Sequence, residues 1–116
     1  MKIYGELKLA DKIALATVRS HKSIYKEDVE TVYPRVIVIH DSMKLDTGEA
    51  TQVTAFIDQD GVCWDTISPT VAEMMSKVID ICEDEGVEIE QVNFHKELSS
   101  KKREFLVCEP VFRGVD

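Results

Sequence analysis

The chain has 116 residues, of which 44% are hydrophobic and 31% charged, and its net charge is −8. This size and composition are typical of one globular domain, so we expect a single domain over residues 1–116. No apolar run approaches the roughly 20 residues of a membrane span, and the N-terminus has no signal-peptide pattern, which together predict a cytoplasmic protein. A protein that binds nucleic acid mainly by neutralising phosphates is normally basic, so the total charge argues against that role.

The negative charge is concentrated in the middle of the chain. The net charge is +2 over residues 1–40, −11 over residues 41–95 and +1 over residues 96–116. The two ends can therefore supply a mildly basic face, while the middle forms an acidic one.

The first half of the chain is predicted to be mainly strand. Weak alternation over Lys12–Arg19 favours a strand over a helix, and the polar residues 20–31 predict a long exposed loop or hairpin tip. Val32–His40 is rich in β-branched residues, with both faces largely apolar. A turn at Leu45–Glu49 then separates this strand from a half-buried strand at Thr51–Ile57.

The middle of the chain predicts a hairpin followed by a helix. Asp58–Gly61 has the Asp-Gly pattern of a tight turn and leads into a strand at Val62–Ile67. Ser68 offers an N-cap hydroxyl to a helix over Pro69–Glu85, which Gly86 can close. Apolar residues follow at the spacing of one helix face: Val71, Met74, Met75, Val78, Ile79 and Cys82.

Two further strands, Val87–Lys96 and Glu104–Phe112, flank a basic turn at Leu98–Arg103. Pro110 cannot donate a ladder hydrogen bond, so it indicates an edge strand, and residues 113–116 form a short tail. A mainly β chain with one helix between its third and fourth strands has the element order of an OB-fold. We therefore expect an OB-fold-like, five-stranded Greek-key barrel that is partly open.

Motifs for catalysis, cofactors or metal are absent from the sequence. There is no nucleotide-binding glycine loop, nucleophile elbow or HExxH spacing, and the three histidines and three cysteines lack the spacing of metal ligands. We therefore expect no enzymatic activity, no cofactor and no metal, and we interpret the cysteines as reduced, buried side chains. The acidic cluster around Glu83 to Glu90 is interpreted first as a solvated helix end and strand edge.

Aromatic and basic residues together suggest binding to a single strand. Such binding needs π-faces for base stacking and cations that follow the phosphates. Aromatic residues lie on or near strands, at Tyr25, Tyr33, Phe56, Trp64, Phe94 and Phe105. Basic residues lie in two loops, at Arg19, Lys22 and Lys26 and at Lys96, Lys101, Lys102 and Arg103. Phe56 and Phe105 are placed first in the core, and Trp64 is the favoured stacking residue.

Thr51 to Glu73 resembles the small single-stranded-DNA-binding proteins of protein-primed Bacillus phages and related phages of Gram-positive hosts. In that family a strand and an Asp-Gly-type turn lead to a short strand with a central aromatic, here Trp64, and then to a helix capped by a serine, here Ser68. The turn at Ser99–Lys101 is similar to the family's final hairpin. The resemblance covers roughly residues 33–112 and implies an OB-type fold and sequence-independent coating of single strands during phage replication.

Two functions from different classes therefore follow from the sequence. The first is a phage-type protein that binds single-stranded DNA and adds along it by self-association. Its expected stacking residues are Trp64 and Tyr33, and its expected phosphate contacts are Arg35, Lys96, Lys101, Lys102, Arg103, Lys22 and Lys26. The second is an acidic phage accessory protein that binds a host protein, possibly by imitating DNA.

Overall fold

The computed structural model describes residues 1–43 and 47–114, so part of the predicted turn at Leu45–Glu49 lies outside the described residues. The chain order is β1 (Lys2–Tyr4), α1 (Leu9–Ala16), a 3₁₀ turn (Val18–Ser20), β2 (Lys22–Ser23), β3 (Thr31–Val32), β4 (Pro34–Met43), β5 (Ala50–Asp58), β6 (Cys63–Thr66), α2 (Pro69–Glu85), β7 (Ile89–Leu98) and β8 (Glu104–Phe112). The mainly β prediction is confirmed. The prediction of a single helix is wrong.

The strands form two sheets that share one nearly continuous strand. The five-stranded sheet has the order β1-β4-β5-β6-β2, and the three-stranded sheet has the order β3-β7-β8. Only Tyr33 separates β3 from β4, so the chain passes directly from one sheet into the other. Within the described residues β8 pairs only with β7, which makes it the edge strand that Pro110 predicts.

The five-stranded sheet is apolar on both faces. Alternate residues of a strand point to opposite sides. Ile37, Ile39 and Phe56 therefore join one buried cluster, called here the inner core, together with α2, β7 and β8. The intervening residues form a second cluster, the outer core, composed of Val36, Val38, Ala55, Ile57 and Cys63. The predicted double-sided strand at Val32–His40 is thereby confirmed.

The predicted helix over Pro69–Glu85 is confirmed to the residue as α2. The Ser68 hydroxyl accepts a hydrogen bond from the Val71 amide at 3.3 Å, and Gly86 closes the helix with a φ of 65°, in the left-handed region. The face of α2 that carries Val71 and Met75 packs into the inner core. In that core Phe56 and Phe94 make an edge-to-face contact, with ring centroids 5.3 Å apart.

The predicted strand at Lys12–Arg19 is wrong, because residues 9–16 form α1 instead. Leucine and alanine favour helix strongly, and they supply five of the eight residues of α1. Leu7 and Leu15 pack on the outer core. Asp11, 2% exposed, accepts a hydrogen bond from the Lys8 amide at 2.9 Å and forms an ion pair with Arg35, which fixes α1 to β4.

The prediction of an entirely exposed loop over residues 20–31 is also wrong. Ile24 in that segment is fully buried in the inner core, and its amide donates to the Asp65 carbonyl at 3.0 Å. This contact extends the short parallel pairing of β2 with β6. In the described part of the chain β6 and β8 are not paired, so the sheets do not close into a barrel, and the strands number eight where five were expected.

Ser68→Ala should lower the free energy of unfolding by about 1–2 kcal/mol. The hydroxyl of Ser68 both caps α2 and donates to the Leu106 carbonyl at 3.0 Å, so the change removes a cap and a link to β8. Urea denaturation followed by circular dichroism measures the change. Thr70→Ala, at an exposed position of the same first turn, is the control and should alter stability by less than about 0.5 kcal/mol.

Asp11→Asn should lower the free energy of unfolding by roughly 1–2 kcal/mol at neutral pH. This is less than the loss expected for a fully buried ion pair, because the Arg35 side chain is partly exposed to solvent. The hydrogen bond from Arg35 holds the pKa of Asp11 below its usual range. The charged form therefore stabilises the fold above the unfolded-state pKa of about 3.9, and this contribution is lost as pH falls through the lower folded-state pKa. Urea denaturation between pH 2 and pH 7 should show the difference between the variant and the parent shrinking only below about pH 4; a constant difference would contradict the assignment.

Candidate nucleic-acid interface

An open groove of about 620 Å³ runs along the seam between β6 and β8. One wall is the turn that follows β2, including Tyr25 and Lys26, and the other is the start of β8, including Phe105. The floor is the junction between β6 and α2, including Ile67. Tyr25, Ile67, Pro69, Phe105 and Leu106 give the groove apolar and aromatic surface, which suits a flat base better than a compact charged ligand.

The groove exists because the seam is bridged at only a few points. The edge of β6 is occupied by β2 and by the Ile24 amide, so it is not available to β8. The Ser68 hydroxyl donates to the Leu106 carbonyl on the β8 side and joins the two edges at the floor. Above that bridge the two walls stay apart, and the groove is open to solvent.

Tyr25 is the aromatic side chain that stands most prominently in the groove, with 40% of its surface exposed. Its hydroxyl donates to the Glu104 carboxylate at 2.9 Å, and this contact raises the pKa of Tyr25. The Lys96 ammonium lies 4.2 Å from the ring centroid and is itself paired with Asp28. These contacts hold the ring between the two walls.

Trp64, the stacking residue favoured by the sequence, does not line the groove. Its indole N–H donates to Asp58 Oδ2 at 3.0 Å, and its ring packs against the inner core. Lys22 lies over the ring, with its Nζ 5.3 Å from the centroid. The structure therefore places Trp64 under Lys22, on the side of β6 that supports the turn after β2.

Tyr33 and Arg35 lie near the opposite end of the β7–β8 hairpin. They line a second hollow with Glu88, Glu90 and Arg113, residues that flank the start of β7 and the end of β8. The groove lies at the start of β8, whereas Tyr33 follows Val32, which pairs with Val92 opposite Pro110, so the two sites are separated by roughly 20 Å along this strand. The predicted stacking pair of Trp64 and Tyr33 is therefore not brought together.

The predicted phosphate contacts separate into paired and available cations. Arg35 is held by Asp11, and Lys96 is held by Asp28 and by Glu104 at 3.8 Å. Among the described residues, no carboxylate lies within ion-pair distance of the other five: Lys22, Lys26, Lys101, Lys102 and Arg103. Lys26 lines the groove together with Asp65 and Glu104, Lys22 lies on β2 over Trp64, and Lys101, Lys102 and Arg103 belong to the turn that leads into Glu104.

Comparison with protein families identifies the chain. The model of the family described as Phage Single-stranded DNA-binding protein matches residues 5–109. The chain belongs to that family. No curated protein and no solved structure gives a significant match.

Membership of the phage single-stranded DNA-binding protein family confirms the resemblance noted in the sequence and extends it into the N-terminal segment. That segment matters because it covers the outer core. Leu7 and Leu15 close the apolar side of the sheet formed by Val36, Val38 and Ile57, all nearly inaccessible to solvent. This side of the sheet is therefore a second buried core.

The sequence analysis counted Tyr25 among the aromatics that suggest strand binding without choosing it for stacking, placed Phe105 first in the core, and did not consider Ile67; all three line the groove. Tyr25 had a usable signal, because it is an aromatic in a polar loop between Lys22 and Lys26. Phe105 had none, because a strand phenylalanine is ordinarily buried.

The cysteines of this family member are poor nucleophiles. Cys63, Cys82 and Cys108 are free and buried, which confirms the sequence interpretation, and burial raises the pKa of Cys63 and of Cys108 to about 12. Within the described residues there is no group of three or more potential metal ligands, and no helix is long and apolar enough to cross a membrane.

Proposed function

We propose that this family member coats single-stranded DNA without sequence preference during phage DNA replication, in the cytoplasm of the host, and that it does so as a single domain without enzymatic activity. The observation that carries the proposal is the groove at the β6–β8 seam, where an exposed Tyr25 lies beside Lys26 and the wall at Glu104 directly follows the turn that carries Lys101, Lys102 and Arg103. Family membership supports the ligand class. The groove chemistry supports the mode of binding.

The strand pairings support an OB-like reading of the fold. β4 pairs with β5, β5 with β6, β3 with β7 and β7 with β8, and α2 lies between β6 and β7. This is the connectivity of a five-strand OB barrel in which β3 and β4 act as one strand and the last closure is missing. The groove then lies at the missing closure, next to the hairpin loop between β7 and β8, which is one of the loops that OB-folds use for oligonucleotides.

Binding without sequence preference follows from the kinds of contact available. Every base offers a π-face, so stacking on Tyr25 against the apolar side of Phe105 or Ile67 does not discriminate between bases. The cations Lys26, Lys101 and Lys102 sit on mobile four-carbon chains suited to phosphates, which are the same in every sequence. Stacking contributes about 1–3 kcal/mol per base, so one protomer would bind only a few nucleotides with modest affinity.

The residues expected from sequence take adjusted roles in this proposal. Lys22, Lys26, Lys101, Lys102 and Arg103 follow the phosphates. Lys96 orients the Tyr25 ring. It can contact a phosphate only by losing its two ion pairs, with Asp28 and with Glu104. Trp64 supports Lys22, and Tyr33 and Arg35 are a separate candidate contact at the far end of the hairpin.

Tyr25→Ala should weaken binding to oligo-dT by roughly tenfold, because it removes the stacking face at the centre of the groove. Fluorescence anisotropy of a labelled oligonucleotide at low salt measures the affinity. Tyr25→Phe keeps the ring and removes only the hydrogen bond to Glu104, so it should bind nearly as tightly as the parent.

Tyr33→Ala is the matched control, because Tyr33 is also an exposed tyrosine, 52% against 40% for Tyr25, and it lies roughly 20 Å from the groove along β8. We expect it to leave the affinity within about twofold of the parent. Loss of binding in Tyr33→Ala, with Tyr25→Ala unaffected, would move the interface to the second hollow. No saturable binding of oligo-dT by the parent protein would overturn the proposed function itself.

Lys101→Gln combined with Lys102→Gln should make binding less sensitive to salt. Each phosphate contact to a single strand contributes about 0.7 to the slope of log affinity against log salt, so the double variant should have a slope shallower by about 1.4. Titrations at several sodium chloride concentrations measure it. The charge-matched control replaces Lys2, which is paired with Asp80, and Arg113, which is paired with Glu88 and Glu90. Its slope should equal that of the parent. Equal slopes in the parent, the double variant and the control would mean that the phosphates bind elsewhere.

A further inference from the structure

The outward side of α1 and the following 3₁₀ turn is an apolar surface in water. Leu9, Ile13 and Val18 are 74%, 59% and 70% exposed. Leu9 and Ile13 are one helical turn apart, so they lie on the same face and form a continuous patch with Ala16. An exposed cluster of large apolar side chains on a short helix commonly marks an interaction site.

The fold itself does not require this patch. The opposite side of α1 supplies the packing, through Leu15 in the outer core and the buried Asp11 paired with Arg35. Polar residues at positions 9 and 13 would therefore leave that packing intact. The apolar residues at these positions are explained by a partner that covers them.

The rim of the patch is basic. Lys8, Lys12 and Arg19 are exposed around it, and none of the three lies within ion-pair distance of a carboxylate among the described residues. Two copies of α1 packed against one another would bring these like charges together. A partner surface that is apolar with an acidic rim fits the patch better.

The C-terminal half of α2 has that character. Ile81 is 49% exposed, and Asp84 and Glu85 lie one helical turn beyond it on the same side. The exposed Met74 lies on that side two turns before Ile81, with Lys77 between them. Two further acidic residues of α2 already have partners, since Asp80 is paired with Lys2 and Glu73 with Lys77, whereas the exposed Glu83 has none among the described residues. In the part of the chain that the structure describes, Asp84 and Glu85 have none.

We propose that α1 of one copy docks on the C-terminal half of α2 of a second copy, with Leu9 and Ile13 against Ile81 and with Lys12 near Asp84 and Glu85. The two surfaces are different patches of the same chain, so the contact is heterologous and repeats from copy to copy into an open chain. The role of such a chain along DNA rests on the proposed coating function, but the contact itself does not. The sequence analysis considered a host protein as the partner of the acidic part of the chain. The present proposal instead assigns the acidic end of α2 to a contact with a second copy of this protein.

Site-specific cross-linking tests the contact. The native thiols of Cys63, Cys82 and Cys108 are buried, so an introduced surface cysteine is the preferred target of a short bis-maleimide. The double variant Ile13→Cys/Ile81→Cys should give a ladder of dimers, trimers and longer products, both on poly-dT and at high concentration without DNA. The single variant Ile13→Cys should stay monomeric, and an equal mixture of Ile13→Cys and Ile81→Cys should stop at dimers.

The controls separate this contact from chance collision. Val111→Cys, an exposed position on β8, should not cross-link to Ile81→Cys. Dimers from Ile13→Cys alone would mean that two α1 helices face each other. Absence of a ladder, both with and without DNA, would mean that the α1 and α2 surfaces do not meet. Either result overturns the proposal. Anisotropy with a short oligonucleotide, measured on the same variants, reports whether DNA is bound at all, so a failure of the proposed function is distinguished from a failure of this contact.

A charge exchange gives a second, independent readout. Lys12→Glu and Glu85→Lys should each shorten the ladder when introduced into the double-cysteine protein, because each places like charges across the contact. The two changes together should restore it, since the pair is then reversed but still complementary. No recovery in the combined variant would contradict the pairing of these two helices.

Discussion

The structure depends on a central pair of strands, β4 and β5, that is apolar on both faces. A sheet of this kind must be covered on two sides, and residues 1–43 and 47–114 contain only one long helix. α2 with the β7–β8 hairpin covers the inner core, and the N-terminal segment with α1 covers the outer core. Since burial of each large apolar side chain contributes about 1.5–3 kcal/mol, neither cover is dispensable. The proposed DNA groove lies at the seam between β6 and β8, at the margin of the inner cover, where the start of α2 and the start of β8 line it.

This arrangement also reconciles an acidic protein with a polyanionic ligand. The N-terminal end of α2 forms part of the groove floor through Ser68 and Pro69, and the acidic residues lie at the other end of the helix. Seventeen helical residues span about 25 Å, which exceeds two Debye lengths at physiological ionic strength. In the proposed binding mode, phosphates at the groove respond to the charges nearest to them, which are Lys26, Asp65, Glu104 and the positive end of the helix dipole, and much less to the net charge of −8.

The features that could be predicted from the sequence are those that neighbouring residues determine, such as helix ends and tight turns. The bounds of α2 follow from Ser68, Pro69 and Gly86, and the Asp58–Gly61 turn follows from its own side-chain and glycine geometry. α1 was missed because its exposed face is apolar, so the usual contrast between a buried and a solvated side is absent, although its leucine and alanine content favoured a helix. The groove was missed for a different reason: it joins residues 23–26, 65–69 and 104–106, and no local signal shows that Ile24 inserts between the edges of β6 and β8.

The N-terminal segment with α1, which covers the outer core, also carries the exposed apolar surface through which we propose that copies of the protein associate. A helix that covers an apolar sheet with only Leu15 and a buried ion pair uses one narrow side of itself, and selection for packing alone would leave the other side polar. Leu9, Ile13 and Val18 depart from that expectation, while the stacking and cationic contacts of one groove give only modest affinity per protomer. Contacts between neighbouring copies raise the effective concentration of each next protomer along a strand, so a weak groove and an apolar outward helix are consistent parts of one mechanism.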